Sequence, residues 1–416
     1  MSFPTTSPVG ALGMNEIVGV LKEIYDGQVV QSMTYSDNPL LALLKKDTNF
    51  GGKLYPVPVI LDGSTGRSSS FANAQSNQNP MRIKEFMLQR VSDYSIAQIS
   101  HEAMLAAKTD QMAFINGVKA AVDQAIQVCA NSLSSSLFRD GSGTIGAISG
   151  ITTGVITLAD VNSVTQFAVG QILEARDTSG TIVTAGALGY VVAINRSAGK
   201  ITVSATANGA AGTPTNWSTS FPSLNIQGDY GVKLSGLSAW LKDPSTVLSN
   251  DSFFSVNRFE DPTRLAGVFY DGSAQSIEEA LIDASSLVAR EGGKPDVCIT
   301  SFASYAALEK ALGARAVYTT YEGPAEIAFR GIVINGANSQ IKVFPDRSCP
   351  GTTAFLLTLK DWKLCSLMEA PHIFDYNDGV QMLRMATNDA AELRVGYYAN
   401  LTCSAPGHSA QVKLGA

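Results

Sequence analysis

The residues of this sequence best suited to acid–base or metal chemistry are three histidines, His101, His372 and His408. His101 and Glu102 begin the H-E-x-x-H pattern of zinc metalloproteases, in which two histidines bind the metal from one helix face. Leu105 occupies the position of the second histidine, so the pattern is incomplete. The sequence therefore predicts structural roles for all three histidines and no metal site.

Two glycine-containing stretches resemble ligand-binding motifs without meeting their requirements. Gly141 to Gly146 spells G-x-G-x-x-G, but a dinucleotide site needs a strand before the motif and a helix after it, and here the order is reversed. Asp375-Tyr-Asn-Asp-Gly379 begins like a calcium loop, yet Gly379 replaces a ligand and no correctly spaced glutamate follows. A tight Asp-Gly turn is predicted instead. With neither a G-x-S-x-G elbow nor a P-loop present, no catalytic or cofactor-binding residue is predicted.

Composition and charge narrow the class of protein. The chain has 416 residues, 45% hydrophobic and 16% charged, which is enough to bury a large core divided into several domains. A net charge of −6 argues against a protein that grips nucleic acid over a broad surface. The five cysteines form no C-x-x-C pair, so reduced, buried thiols are expected. No signal peptide or membrane span is predicted, so synthesis in a cytoplasm is expected, with no membrane partner.

The first quarter of the chain consists of segments that need other surfaces for support. Residues 1–47 mix short apolar patches with small polar residues, which is typical of an extended arm. Two strand patterns follow, and Pro56 and Pro58 restrict the first of them to a sheet edge. The polar stretch between the strands, residues 62–80, predicts the tip of a long protruding hairpin. Such a hairpin has too little core to be stable alone.

Apolar residues between Ser100 and Phe138 recur at steps of three and four, which predicts one long helix. The apolar stripe consists of Ile115, Val118, Val122, Ala125, Ile126, Cys129, Leu133 and Leu137. The helix would be about 45 to 55 Å long, allowing for a break near Lys108 or Gly117. A helix of this length would run along an elongated domain.

Residues 144–227 change character abruptly, since they are rich in Gly, Ser, Thr and Ala and contain few charges. Within them, GYVVAINRSAGKITVSA (Gly189 to Ala205) predicts a hairpin with a polar turn at Gly199. Several such short strand patterns separated by turns predict a small barrel or sandwich. This stretch is therefore expected to be a self-contained β-rich module.

Beyond the module, helix and strand patterns alternate. Ser276 to Arg290 begins with a capping box and has helical periodicity, PDVCITS reads as a buried strand, and SYAALEKALGA reads as a second helix. The remaining residues return to strand patterns. This mixture predicts an α+β domain.

The order of arm, long hairpin, long helix and α+β domain resembles that of tailed-bacteriophage major capsid proteins of the Hong Kong 97-like fold. Two regions add similarity in sequence. SIEEALIDASSLVAREGGKPDVCITSFASYAALEKAL is similar to the family's helix, strand and second helix. IKVFPDRSCPGTTAFLLTLKDWKLCSL, PHIFDYNDG and ELRVGYYANLTCSAPG are similar to its closing strands. The resemblance covers most of the chain outside residues 144–227 and implies a structural subunit rather than an enzyme.

The resemblance implies an α+β fold divided into six segments. They are the N-terminal arm (1–47), the extended loop (48–99), the spine helix of the peripheral domain (100–143), an inserted barrel or sandwich (144–227), the axial domain with returning peripheral strands (228–391), and a C-terminal peripheral strand and tail (392–416). The predicted subunit interface is the extended-loop tip, Asp62, Gly63, Ser64, Thr65, Gly66 and Arg67. Lys53 and Lys84 lie away from this tip and are expected to be ordinary surface lysines rather than cross-linking sites.

The function implied is self-assembly through hexamers and pentamers into the icosahedral capsid of a tailed phage, around packaged double-stranded DNA. The capsid would be assembled in the host bacterial cytoplasm. The implied partners are a separately encoded scaffolding protein, a portal at one vertex, a decoration protein, and DNA contacted weakly and without sequence specificity. One alternative is an encapsulin-type nanocompartment shell; another is a β-rich carbohydrate-binding or hydrolytic protein. The inserted module would be either an outward knob or a contact with the next subunit.

Overall fold

The computed structural model describes most of the chain in nine ranges. They are residues 38–63, 66–101, 111–183, 187–207, 209–247, 249–313, 317–322, 328–375 and 382–415. Residues 1–37 of the predicted arm and most of the calcium-like stretch that begins at Asp375 lie outside these ranges.

The α-helices of the described chain all lie outside the inserted module. The α-helices are α1 (Pro39–Leu43), α2 (Phe71–Ser76), α3 (Gln111–Phe138), α4 (Leu237–Trp240), α5 (Pro262–Ala266), α6 (Ile277–Arg290) and α7 (Phe302–Leu312). Helix α6 begins with the predicted capping box, since Ser276 and Glu279 each accept the other's backbone N–H.

Strands fall into three groups along the chain. Before α3 lie β1 (Lys45–Asp47), β2 (Leu54–Asp62), β3 (Arg82–Gln89) and β4 (Val91–Ser100). After α3 come β5 (Thr144–Thr152), β6 (Val155–Leu158), β7 (Ile172–Arg176), β8 (Gly189–Asn195), β9 (Lys200–Ser204) and β10 (Ser223–Ile226). The rest are β11 (Ser252–Phe253), β12 (Val256–Asn257), β13 (Val268–Gly272), β14 (Val297–Thr300), β15 (Val317–Glu322), β16 (Ala328–Asn335), β17 (Gln340–Pro345), β18 (Thr353–Leu357), β19 (Trp362–Ser366), β20 (His372–Ile373), β21 (Met382–Arg384), β22 (Ala390–Cys403) and β23 (Ala410–Leu414).

The long helix α3 has 28 residues, which is about 42 Å, and continues through Gly117 without a break. The predicted stripe is buried where its side chains are described, at Val122, Ala125, Ile126, Cys129, Leu133 and Leu137. Lys108, the other predicted break, lies outside the described residues, and Ser100, the predicted start of the helical stretch, ends strand β4. The helix packs against β4 and β22.

The six-stranded sheet beneath α3 is organised around its longest strand, β22. Strand β4 pairs with β22 over ten residues, from Val91↔Ala399 to Ser100↔Ala390. Strands β19, β20 and β21 pair with β22 in turn, and β1 extends the sheet by parallel pairing with β19. The chain segments on either side of the hairpin β2–β3 are therefore both anchored in one sheet.

A seven-stranded mixed sheet has the order β13-β23-β18-β14-β17-β16-β15. Helices α6 and α7 cover one face, where Cys298 is buried, while Val297 and Ile299 on the other face join the core beneath α3. Strand β23 lies between β13 and β18. The C-terminal segment, residues 392–416, which sequence analysis assigned as a whole to the peripheral domain, is thus divided between two sheets.

The inserted module is a closed barrel in the order β10-β5-β6-β9-β8-β7. Its core is separate from that of the rest of the chain and includes Leu173, Ile201, Val203 and Leu224, all fully buried. The predicted hairpin is β8–β9. Closure pairs both edges of every strand, so the module needs no neighbour to satisfy its backbone.

Candidate assembly surface

The predicted interface residues lie where the extended hairpin, defined here as β2 and β3, reaches its tip. Asp62 ends β2 and is paired with Arg82 at the start of β3. Gly63, Gly66 and Arg67 are exposed, whereas Ser64 and Thr65 lie outside the described residues. The tip, residues 63–81, also contains α2, a helix that sequence analysis did not predict. None of its side chains is buried, and Phe71 is 85% exposed.

The inner face of the extended hairpin packs on the same chain. Val57, Val59 and Leu61 from β2 and Phe86 and Leu88 from β3 are buried. The Phe86 ring contacts the Trp240 ring edge-on, with 5.0 Å between centroids. The hairpin therefore protrudes less than the sequence predicted, because half of its apolar residues join the main core.

The outer face of the same hairpin is exposed and largely apolar. Alternation along β2 directs Leu54, Pro56, Pro58 and Ile60 away from the core, and Ile60 is 63% exposed. Ile83 lies directly opposite Ile60 and is exposed as well. The two strands pair only with each other within the described residues, as the prolines of β2 predicted. The result is a two-stranded, largely apolar surface, with Glu85 and Gln89 of β3 also on it, that the described part of the chain leaves uncovered.

Ion pairs fasten the hairpin to helix α5 and the turn before it. Glu260 accepts from Lys84 Nζ at 2.7 Å and also pairs with Arg82, while Arg264 Nη1 donates to Asp62 Oδ1 at 2.8 Å. The hydrogen bond from Lys84, followed by the charge of Arg82, holds the pKa of Glu260 below its usual value. Lys84 and Asp62, which sequence analysis treated as surface residues, are thus engaged within the chain.

A second surface patch consists of aromatic side chains on the six-stranded sheet, of which Tyr94 is exposed and the others are half-buried. Tyr94 on β4 and Tyr398 on β22 join their hydroxyl groups at 3.1 Å, and Phe374 lies 5.7 Å from Tyr94 and 5.5 Å from Tyr398 between ring centroids. The ring of His372 meets that of Phe374 at 4.5 Å. Ile96, one step further along β4, is also exposed. This aromatic patch was not predicted, because its members come from three distant parts of the sequence.

The barrel is docked on its own chain at both ends of the insertion and at one loop. Gly231 N–H donates to Ser142 O at 3.0 Å, so the entry and exit of the insertion lie side by side. Gly143 has a positive φ, and a side chain there would lie 2.2 Å from the carbonyl oxygen of Asp229. In the loop, Asp160 Oδ2 accepts from Gly351 N–H at 3.0 Å. The barrel therefore does not swing freely from the host fold.

A buried ion network lies between the barrel, α3 and β4, beside a cavity of about 390 Å³. Lys233 Nζ contacts Asp93 Oδ1 at 2.9 Å and Asp229 Oδ2 at 3.0 Å, and Ser132 of α3 donates to Asp93 at 2.5 Å. Burial alone would lower the pKa of Lys233, but the two carboxylates raise it above its usual value. Lys233 thus stays charged, and its two ion pairs connect β4, which carries Asp93, to the segment after the barrel, which carries Asp229.

Burial and polar contacts constrain the cysteine and histidine side chains. All five cysteines are free and buried, and burial raises the pKa of each thiol. His101 and His408 contact Asp389 and Asp361, while His372 Nδ1 lies 2.7 Å from the Glu369 carbonyl oxygen. No cluster of metal-ligating side chains occurs among the described residues. In the same ranges, no helix combines the length and apolar character needed to span a bilayer.

Comparison with known proteins gives matches in structure alone. No protein-family model matches the chain, and no curated protein matches its sequence. The chain is similar to a capsid asymmetric unit of cyanophage A-1(L), with a TM-score of 0.51 and 11% identity over 90% of this chain and 92% of that one. It also matches the capsid of a native GTA particle, with a TM-score of 0.44 and 10% identity over 92% and 91% of the two chains.

A structure from Mycobacterium phage Bobi matches with a TM-score of 0.42 and 12% identity, over 97% of this chain and 99% of that one. At such low sequence identity, a structural match is evidence of the fold alone. Of these three matches, the cyanophage match has a TM-score above 0.5 and is the one that defines the fold. The chain therefore has the α+β Hong Kong 97-like capsid fold, with a small all-β barrel inserted after its long helix.

Proposed function

We propose that the protein is the structural subunit of a tailed-bacteriophage capsid, which self-assembles through hexamers and pentamers into an icosahedral shell around packaged double-stranded DNA. The observation that carries this proposal is the bare outer face of the extended hairpin, where Ile60 and Ile83 sit opposite each other and exposed. The inner face of the same two strands is already packed. An apolar two-stranded surface of this kind is stabilised when a neighbouring subunit excludes water from it.

The interface proposed at the hairpin tip follows from its exposure. Gly63, Gly66, Arg67 and the whole of α2 contribute almost nothing to the core of their own subunit. This tip, residues 63–81, comprises 19 residues. Because it adds so little to the core of its own subunit, it is expected to contact another chain. Phe71 on α2, which is 85% exposed, would be the principal apolar contact of the tip.

The role is structural rather than catalytic. The thiols are buried, and Nδ1 of each histidine already contacts an oxygen atom, which supports a structural role. The proposed location is the virion capsid, with assembly in the host bacterial cytoplasm. A net charge of −6 supports weak, non-specific contact with the packaged DNA.

The proposed partners follow from the same role. A separately encoded scaffolding protein would guide assembly, a portal would occupy one vertex, and a decoration protein would bind the outer surface. Of these, the scaffold is the first to test, because it decides whether the purified chain forms closed shells or irregular aggregates.

Electron microscopy of the full-length chain, expressed with and without its candidate scaffolding protein, tests the proposal. We expect closed shells of uniform size whose formation depends on the scaffold. Shells that form without a scaffold and enclose a co-expressed enzyme would favour an encapsulin-type compartment. A monomer under every condition would refute a shell of either kind.

A further inference from the structure

Helix α1 is the first described element after residues 1–37, and it is too short to be stable by itself. It has five residues, and Pro39, Leu40, Leu41 and Ala42 are all buried. Isolated helices below about 12 residues are marginal in water. The position of α1 must therefore be set by the groups that surround it.

The N-terminal end of α1 is held by a carboxylate 306 residues away in sequence. Asp346 Oδ2 accepts from the Leu40 N–H at 3.4 Å, and its Oδ1 accepts from the Ser348 N–H at 2.8 Å. The Asp346 residue is 1% exposed. Because Asn38, the N-cap residue, makes no capping hydrogen bond with its side chain, the carboxylate of Asp346 takes that role.

The other end of α1 is held by an ammonium group. Lys46 Nζ donates to the carbonyl oxygen of Leu41 and, at 3.3 Å, to that of Ala42. An ammonium group at the C-terminus of a helix interacts favourably with the helix dipole. Hydrogen bonds from Lys46 and to Asp346 thus hold α1 at its two ends.

The loop that carries Asp346 also contacts three other parts of the fold. Ser134 of α3 donates to Ser348 Oγ at 3.2 Å. Gly351 N–H donates to Asp160 of the barrel, and the carbonyl oxygen of Gly351 accepts from Ser304 Oγ of α7 at 3.0 Å. One loop, Asp346 to Gly351, therefore links α1 to the long helix, to the barrel and to the seven-stranded sheet.

We propose that Asp346 is a positioning residue, whose carboxylate fixes α1 to this loop and so sets where residues 1–37 join the fold. Its action does not depend on shell formation, because every contact lies within one subunit. In a shell, the same contact would couple the segment that precedes α1 to the long helix and the barrel.

The environment of Asp346 makes this contact sensitive to pH. Burial raises the pKa of its carboxyl group to about 6, although the Ser348 and Leu40 amides and the charge of Arg347 oppose the shift. The other titratable or charged groups nearby are the buried thiol of Cys349 and Lys46 at the far end of α1. Arg139, directly after α3, and Asp160 of the barrel lie beyond Cys349. Burial lowers the pKa of Lys46 to about 8, so its titration falls in a higher range.

The sign follows from linkage. The folded pKa of Asp346 lies above its unfolded value, so its stabilising contribution is complete below the unfolded pKa and is lost as the pH rises through about 6. Separation of α1 from the loop relieves part of the burial that raises this pKa, so docking of α1 should weaken as the pH rises through about 6.

Hydrogen exchange of the purified full-length chain tests the proposal at the amides of Leu40 to Leu44, with rates corrected for intrinsic exchange. We expect protection in this segment to be lower in Asp346→Ala than in the parent, and to fall in the parent from about pH 5 to about pH 7. Protection of these amides that is the same in Asp346→Ala as in the parent would overturn the proposal.

Variants then assign the pH dependence to one group. Asp346→Asn should abolish it, whereas Asp243→Asn, which removes a carboxylate that caps an exposed turn, should leave it intact. Lys46→Met should lower protection equally at both pH values. A retained pH dependence in Asp346→Asn, or its loss in Asp243→Asn, would contradict the assignment to Asp346. If Asp346→Asn does not fold, the parent profile and Lys46→Met decide.

Discussion

The barrel and the extended hairpin are both small β structures attached to the same host fold, but they bury their apolar side chains in different ways. The barrel closes on itself around Leu173, Ile201, Val203 and Leu224. The hairpin has two strands. One face packs against Trp240 and its neighbours, whereas Ile60 and Ile83 on the other face are exposed. The barrel therefore buries its apolar side chains within one chain, whereas the hairpin leaves part of its apolar surface exposed.

This difference separates stability from assembly. Damage inside the barrel should cost folding free energy of the barrel and leave the host fold intact. Substitutions on the outer face of the hairpin should change the free energy of unfolding little, because no described residue of the same subunit covers that face. The predictions below test whether the two regions can be separated in this way.

The largest effect is expected from Val203→Asp, which forces a carboxylate into the closed core of the barrel. We expect a loss of about 4 kcal/mol or more in the free energy of barrel unfolding, because the site offers no partner for the charge. Hydrogen exchange should show lost protection in β8 and β9 and retained protection in β22. The matched control is Val169→Asp, at a barrel position that is 65% exposed, where we expect a change below about 0.5 kcal/mol. Equal losses in the two variants would contradict a packed, autonomous barrel.

Excision of the barrel should have an intermediate effect on the host. Joining Gly143 to Gly228 through a short Gly-Ser linker removes residues 144–227 where the two ends of the insertion meet. The host loses the bonds from Arg139 to Ile145 O and from Gly351 to Asp160, so a cost of about 1–3 kcal/mol is expected.

The near-ultraviolet circular dichroism of the excised chain checks this, since its two remaining tryptophans, Trp240 and Trp362, are fully buried in the host core. A retained signal with a modest drop in melting temperature is expected. A host that does not fold without the barrel would show that the insertion is part of the host core.

Shortening the hairpin tip should affect folding less and assembly more. Residues 63–81 can be replaced by Asn-Gly, a two-residue turn that suits the Asp62↔Arg82 pair. Asp62 is kept because it contacts Arg264. We expect a change in unfolding free energy below about 0.5 kcal/mol, with few or no shells by electron microscopy. A variant with a Gly-Ser loop of the original length controls for the loss of loop length. Full assembly by the Asn-Gly variant would refute a tip interface.

The smallest effect concerns the ion pairs that hold the hairpin base. Lys84 and then Arg82 hold the pKa of Glu260 below its usual value, so its stabilising contribution is present above the unfolded pKa and is lost as the pH falls through the folded pKa. Glu260→Gln should therefore lower the denaturation midpoint slightly at neutral pH and not at acid pH, and less in high salt. Glu85→Gln, on the same hairpin, is the control. An effect of Glu260→Gln that grows as the pH falls would show the sign to be wrong.

Local patterns account for the parts that the sequence predicted. The β8–β9 hairpin, the capping box of α6 and the apolar stripe of α3 each depend on residues close together in the chain. A bulge between Val191 and Ala193 shifts the alternation of β8, so Ile194 packs against the barrel core but stays half-buried.

The contacts that the sequence could not predict join residues that are distant in the chain. Asp346 and Leu40 are 306 residues apart, and Lys84 and Glu260 are 176 residues apart. No periodicity or spacing records such pairs. The helix α2 was missed for a different reason, since its polar sequence is typical of a loop and none of its side chains is buried.

Paired substitutions at Ile60 test the central claim, that the bare outer face of the hairpin is the contact between subunits. Ile60→Asp and Ile60→Val change a side chain that is 63% exposed, and both proteins should unfold within about 0.5 kcal/mol of the parent. Shell yield is then measured by electron microscopy under the conditions in which the parent assembles. The account predicts normal shells with Ile60→Val and few or none with Ile60→Asp, because a carboxylate would be buried in the interface. Equal shell yields from the two variants would contradict it.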